Sequence, residues 1–293
     1  MLTRSGLTIV ELLVILAIVA TIIALLLPAI QMIRAGAMQL ECNNQMKQIG
    51  LGLHQYSNDH GGRMPSVGSN EDGFSFHGTL LPYVEHGSYY QEVMAGTRSR
   101  GNNYVMKQYL CHLDPSHGVF GTTLEGKCNY AANAQAFFNR PSIRHSFQDG
   151  ASCTIALAER YVFSLGPPVV VMDWLIDMPP VYLSHVPGGL IVRQPTFADF
   201  YPGARPYDPR RDDVYPITSG NPPTSVGSVP ELTFQVRPRL DMADPRIPQT
   251  GHVSGMPVLM MDGRVVTLRR GVAPEVFWGL VTPRGGETVE LPD

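Results

Sequence analysis

The hydrophobic pattern divides the chain near its start. Between positions 12 and 27 no residue is charged, and Thr21 is the only polar side chain. With its flanks the stretch at 6–30, GLTIVELLVILAIVATIIALLLPAI, reaches the roughly 20 residues needed to cross a bilayer core. A secretory signal peptide has a shorter apolar region and a small-x-small cleavage site after it. Here Pro28 is followed by Ala29, Ile30, Gln31 and Met32, which is a poor site. Beyond Pro28 the pattern becomes amphipathic. Met38, Cys42, Met46, Ile49, Leu53 and Tyr56 recur at steps of three and four, with Arg34, Glu41, Asn44, Lys47 and Gln48 largely elsewhere. This predicts one helix over 7–60, membrane-spanning at about 7–30 and then half-buried against a domain. At 1.5 Å per residue it is roughly 75 Å long. Pro28 is expected to kink it, and Asn58-Asp59-His60-Gly61-Gly62 to stop it.

The remainder, 61–293, reads as short apolar stretches between Gly, Pro, Asn and Asp clusters. SFHGTLLPYVEHGSYYQEV predicts a short helix, a break at Pro82, and a further turn or helix. KQYLCHLDP predicts a short strand ending in an Asp-Pro turn; KCNYAANAQ and CTIALAERY predict core strands. The stretch 166–250 holds PPVV, MPPVY, YPGARPYDPRRDD and NPPTS, and reads as a Pro-rich insertion with edge strands at best. MPVLMMDGRVVTLRRG predicts a hairpin around Asp262-Gly263, because a type I′ turn needs positive φ at both central residues. APEVFWGLVT closes as a helix. A long helix, a mixed middle, an antiparallel hairpin and a short helix predict an α+β fold, with a mainly antiparallel sheet packed on the second half of the long helix.

Composition narrows the function classes. The net charge of −3 leaves no basic surplus for nucleic acid, so no nucleic-acid partner is expected. Four cysteines, Cys42, Cys111, Cys128 and Cys153, form no CxxC, and the nearby histidines lack zinc-finger spacing. If the domain is exported, two disulfides are possible, with three connectivities open.

One charged residue interrupts the apolar run: Glu11. An acid inside a membrane span costs a few kcal/mol and is a functional candidate by default. Arg4, Gly6, Leu7, Thr8 and Glu11, followed by the apolar helix, resemble the N-terminus of type IV pilins and type II secretion pseudopilins. The resemblance implies a leader over 1–6, cleavage after Gly6 by a membrane peptidase, and methylation of the new N-terminal Leu7. It also implies that Glu11 is needed for assembly, where a carboxylate neutralises a neighbouring chain's α-ammonium in a low-dielectric setting. The partners would be the inner membrane, a prepilin peptidase, other pilin or pseudopilin subunits and an assembly platform. With Arg4 on the N-terminal side, the positive-inside bias puts the N-terminus in the cytoplasm and the large domain outside.

Further stretches resemble a narrower group of large pilin-like proteins with a C-terminal H-x9-DG motif, supplied here by His252, Asp262 and Gly263. ECNNQMKQIGLGLHQY, YLCHLDP (a departure from the group's Cys-Pro-Ser-Asp), NYAAN, TIALAER and VFWGLVTPRGGE carry it too. Such proteins often have polar residues where Cys128 and Cys153 stand. The economical pairing is Cys42–Cys111, tying helix to domain, and Cys128–Cys153.

Enzyme signatures are weak. GHVSG is not a GxSxG elbow, and there is no HExxH, P-loop or EF-hand loop. His252 with Asp262 offers an acid/base pair, but the better reading has Asp262 making the turn and His252 capping or packing beside the hairpin. His54, His60, His112 and His117, the last two near Asp114, read as structural. Asp208, Asp212 and Asp213 offer calcium ligands, with Arg210 and Arg211 arguing for ion pairs instead. Trp174, Tyr201, Tyr207 and Tyr215 suit either sugar stacking or loop anchoring. No cofactor is expected, calcium being the one candidate. The function expected is a noncatalytic pilin-like subunit of a pseudopilus or surface filament. The alternative is a membrane-tethered extracytoplasmic protein binding a solute or glycan through the 166–250 insertion.

Overall fold

The computed structural model describes residues 8–67, 70, 72–99, 104–121, 124–138, 140–164, 169–173, 184–186, 190–198, 233–244 and 247–284. Helix α1 runs unbroken over Ile9–Asp59, through Pro28. The chain forms two units, Met1–Glu41 and Cys42–Asp293.

In the first unit α1 is apolar on every side, and Leu12, Ile15, Ile18, Ile22, Leu25 and Ile30 are all exposed. A helix apolar all round suits a surrounding of hydrocarbon. The 22 uncharged residues at 12–33 span about 33 Å, which matches a bilayer core. Thr21, the polar exception within 12–27, donates its hydroxyl to the Ala17 carbonyl at 2.8 Å and needs no outside partner. This helix is long and apolar enough to cross a membrane.

The second unit is α+β. After α1 come α2 (Phe76–Thr79), a 3-10 turn at Leu81–Tyr83, α3 (Gly87–Met94), and 3-10 turns at Lys107–Tyr109 and Pro115–Gly121. The strands are β1 (Tyr130–Asn133), β2 (Ile155–Glu159), β3 (Phe163–Ser164), β4 (Val169–Met172), β5 (Ser184–Val186), β6 (Leu190–Arg193), β7 (Thr196–Phe197), β8 (Gln235–Val236), β9 (Gln249–Thr250), β10 (Met256–Met260) and β11 (Val265–Leu268). A last 3-10 turn, Leu240–Met242, lies between β8 and β9, and α4 (Pro274–Val281) follows β11. The main sheet has the order β11-β10-β2-β1-β7, antiparallel except for the β1–β7 pair. A second sheet has the order β3-β4-β6-β5.

Alternation along the strands builds two cores. Ala132, Leu157 and Leu259 turn one way and pack with Cys42, Met46, Ile49 and Leu53 of α1. Ala131, Ala158 and Val258 turn the other way and pack with Phe277, Leu280 and Val281 of α4. Covered on both faces, β2 and β10 are buried along their whole length, which is why their sequences are apolar runs instead of alternating ones. The amphipathic reading of α1 holds at its centre, where Cys42, Met46, Ile49 and Leu53 are buried and Glu41, Asn44, Lys47 and Gln48 are exposed; Met38 and Tyr56 at its ends are partly buried. Gly62 N–H donates to the Ser57 carbonyl at 2.7 Å and closes the helix where the Gly pair was expected to stop it.

Three expectations need correction. KQYLCHLDP forms a 3-10 turn and a loop instead of a strand. Asp114 takes the backbone N–H groups of Ser116 and Val162 at 2.8 Å each, and this holds the segment in a turn. The stretch 166–250 supplies more than edge strands, because β4 and β6 lie inside the second sheet. Its Val169-Val170-Val171 and Leu190-Ile191-Val192 runs are β-formers, and the Pro pair falls before the first. The hairpin turn is not type I′. Gly263 alone is left-handed (φ 87°), and Met260 N–H to the Arg264 carbonyl (2.8 Å) and Gly263 N–H to the Met260 carbonyl (2.9 Å) close a three-residue loop. Asp262 keeps an ordinary φ because its carboxylate accepts from Arg264 N–H at 2.9 Å and pairs with that guanidinium.

His77 of α2 links helix to sheet, with Nε2 donating to the Tyr130 carbonyl at 2.6 Å in a buried site. Burial pushes the imidazole down to about 4, against the smaller opposing effect of that hydrogen bond. The fold therefore holds His77 neutral, while the unfolded chain protonates it near pH 6.5. Its stabilising contribution is complete above about pH 6.5 and is lost as pH falls toward 4. The loss amounts to about 3 kcal/mol. Urea unfolding of the full chain in detergent should show that decline between pH 6.5 and 4. His77→Gln should flatten it, and a variant curve parallel to the wild type would assign the decline to another group.

Candidate functional site

The polar centre of the second unit lies where four chain segments meet. Cys42 of α1 and Cys111 of the following loop form a disulfide, with Cα atoms 5.4 Å apart and a sequence separation of 69. Closing a loop of that length restricts the unfolded chain by about 4 kcal/mol. Glu159 ends β2 two residues after Leu157, so it shares the α1-facing side of the sheet. His252 follows β9. Its Nε2 lies 3.3 Å from Glu159 Oε1 and 3.4 Å from Cys111 Sγ. The Thr250 hydroxyl donates to Glu159 Oε2 and accepts from His252 N–H at 3.1 Å. All four side chains are buried, with Glu159 at 2 % and His252 at 1 % exposure. A substrate from solution has no access to such a cluster, so chemically it is a cross-link.

Neighbouring polar contacts hold the junction's walls. Tyr130 donates its hydroxyl to Gln45 Oε1 of α1 at 2.7 Å, and Gln45 Nε2 donates to the Lys107 carbonyl at 3.2 Å. Asn129 Oδ1 accepts from Cys111 N–H at 2.9 Å, and its Nδ2 donates to Asp114 Oδ2 at 2.6 Å and to the Arg160 carbonyl at 2.8 Å. Asn133 does the equivalent at the other end of β1, donating to the Ile155 and Val281 carbonyls at 2.8 and 2.7 Å. The two asparagines of NYAAN are thus brackets for the strand between them. Arg160, buried beside Glu159 in sequence, donates to the Thr196 carbonyl at 2.8 Å, and burial pushes it down to about 10.

The other candidates fall as follows. Gly6 and Leu7 lie outside the described residues, as do Trp174, Tyr201, Tyr207, Asp208, Asp212, Asp213 and Tyr215. Glu11 accepts from Thr8 N–H and Thr8 Oγ1 at 2.8 and 2.9 Å, while its own N–H donates to Thr8 Oγ1 at 3.3 Å. That is a reciprocal capping box. His252 and Asp262 serve different places: His252 belongs to the buried junction, Asp262 to the turn and Arg264. His60 stacks on Tyr56, and His117 Nε2 meets Asn129 Oδ1 at 2.9 Å.

The Cys128–Cys153 pairing is wrong, since both are free thiols. Cys128 precedes β1 and Cys153 precedes β2, and the two strands are antiparallel, so the thiols sit at opposite ends of the ladder. A five-residue strand alone spans about 16 Å, more than twice the Cα separation a disulfide accepts. Burial pushes the Cys128 thiol up, which leaves it inert. Sequence reasoning also missed Glu159. Its one signal was a carboxylate ending the apolar run TIALAE.

Gly251 lets β9 bring His252 to the Cys111 loop, because a Cβ there would overlap the Leu113 carbonyl oxygen. Gly251→Ala should lower stability by about 3 kcal/mol or more, at the upper end of overpacking costs. Gly118→Ala, whose Cβ meets nothing within 4 Å, should stay within about 0.5 kcal/mol of the wild type. Thermal unfolding of the two variants decides, and equal melting would remove the close approach as a constraint.

Residues 31–116 match the model of a protein family of unknown function, DUF1559. The matched segment holds both halves of the disulfide, ECNNQMKQIGLGLHQY and YLCHLDP, and ends before NYAAN, TIALAER and His252. No curated protein and no solved structure matches the chain.

Proposed function

We propose that the chain is a noncatalytic pilin-like subunit, held in the inner membrane by the first part of α1 with the second unit on the extracytoplasmic side. It is cut after Gly6, methylated at Leu7, and assembled through α1 into a secretion pseudopilus or surface filament. The observation that carries this reading is the uncovered apolar surface of α1 with Glu11 as its single charge between Thr8 and Ile33. A lone anchor needs no acid there, whereas a helix that packs against copies of itself gains from one. Cleavage between Gly6 and Leu7 places a new α-ammonium at the N-terminus of α1, the end at which the helix dipole disfavours positive charge. Glu11 of the same or an adjacent helix offsets it.

Two experiments test this. Co-expression with a prepilin peptidase should yield a chain lacking residues 1–6 and carrying one added methyl on Leu7 by mass spectrometry; retention of 1–6 would exclude the processing step. Glu11 then needs separating from its capping role. Glu11→Gln preserves the capping box, since glutamine serves at that position, and removes the charge; Glu11→Ala removes both. Both variants should lose cross-linked multimers of the processed chain in membranes. If Glu11→Gln assembles as well as the wild type, the carboxylate is a helix cap and no more.

A further inference from the structure

The buried junction has a composition that the disulfide does not exhaust. Cys42, Cys111, Glu159 and His252 each direct one donor atom inward, and all four donors lie within 4.8 Å of one another. Ligands about 2.0–2.3 Å from a tetrahedral ion stand about 3.3–3.8 Å apart along the edges of the tetrahedron. The His252 Nε2 to Cys111 Sγ and His252 Nε2 to Glu159 Oε1 distances, 3.4 and 3.3 Å, are edges of that size. Glu159 Oε1 is buried without a hydrogen-bond partner among the described residues, which is costly for a carboxylate oxygen. The outer layer is present for the carboxylate: the Thr250 hydroxyl holds the second Glu159 oxygen and orients it, and that hydroxyl is itself fixed by the backbone N–H of His252.

We propose that, once the Cys42–Cys111 bond is reduced, these four side chains form a closed tetrahedral site for a zinc-type divalent ion. Disulfide and metal are then alternative cross-links at one junction. Reduction by a dithiol adds two electrons and two protons to the sulfurs and leaves the reductant as a disulfide. The freed sulfurs separate to about 3.7 Å, the edge two thiolates take around zinc, and both thiol protons pass to solvent as the ion binds. His252 ligates through Nε2, its proton residing on Nδ1. Two thiolates, one carboxylate and a neutral imidazole leave the loaded site with a charge of −1, the same as a Cys3His site. These ligands come from four distant points of the chain, so no local zinc-finger spacing marks them.

The test uses the full chain in detergent. A trialkylphosphine reduces the disulfide, becoming a phosphine oxide while water supplies its oxygen and both thiol protons. Cobalt(II) is then added without air. The reduced chain should bind one ion, with thiolate-to-cobalt charge-transfer absorption and intense tetrahedral d–d bands, and zinc should displace it. The oxidised chain should show none of these features. His252→Ala and Glu159→Ala should each weaken binding by roughly tenfold or more, and Cys128→Ser should leave it unchanged. A readout free of variants is alkylation: in the reduced wild-type chain, zinc should protect Cys42 and Cys111 while Cys153 continues to react. Equal uptake by oxidised and reduced chains, no uptake by the reduced chain, or unprotected Cys42 and Cys111 would each overturn the proposal.

Discussion

The second unit depends on one constraint: the inner strands of its main sheet, β1, β2 and β10, are buried on both faces. An antiparallel sheet can leave one side in water, and this one does not. The second half of α1 covers one face and α4 the other. Every polar group that enters that interior must find its partner inside it. Asn129, Asn133 and His77 meet the requirement through backbone carbonyls, and Tyr130 through the Gln45 side chain. Glu159 and His252 meet it only in part, and they do so beside the disulfide. The chemistry of the domain gathers where two-sided burial is hardest to satisfy.

Much of this architecture is legible in the residues, for reasons that differ by element. The buried face of α1 was readable because the 3.6-residue period repeats over five turns, and β2 and β10 because a doubly covered strand must be apolar throughout. The β10–β11 hairpin was readable from Asp262-Gly263, although the turn type was not: Arg264 occupies the Asp262 carboxylate and keeps Asp262 out of the left-handed region. The failures share a cause. Pairing Cys128 with Cys153 needs the register of β1 on β2, and finding Glu159 beside His252 needs the β2–β10 pairing and the return of β9. None of these leaves a local trace. YLCHLDP looked like a strand because its apolar residues were visible, whereas the hydrogen bonds of Asp114 to a segment beyond β2 were not.

Glu11 shows how a residue singled out by sequence can carry two demands at once. Its position in an apolar helix suggested a charge reserved for another chain. In the structure it is already engaged, closing the first turn of its own helix with Thr8. The cap engages Oε2 alone. A carboxylate has about four lone-pair sites, so the cap does not by itself exhaust it.

The bond between Cys42 and Cys111 also changes the chain's topology. It closes a covalent ring that contains the end of α1, α2 and α3, and the family match at 31–116 encloses that ring completely. A single cut anywhere inside such a ring opens it without parting the molecule. The upstream helix and the downstream sheet stay joined through sulfur however many cuts fall inside the ring, and a cut together with a reductant is needed to separate them. The connection between α1 and the rest of the second unit is thereby doubled along the stretch where α1 leaves off and the sheet has not yet begun.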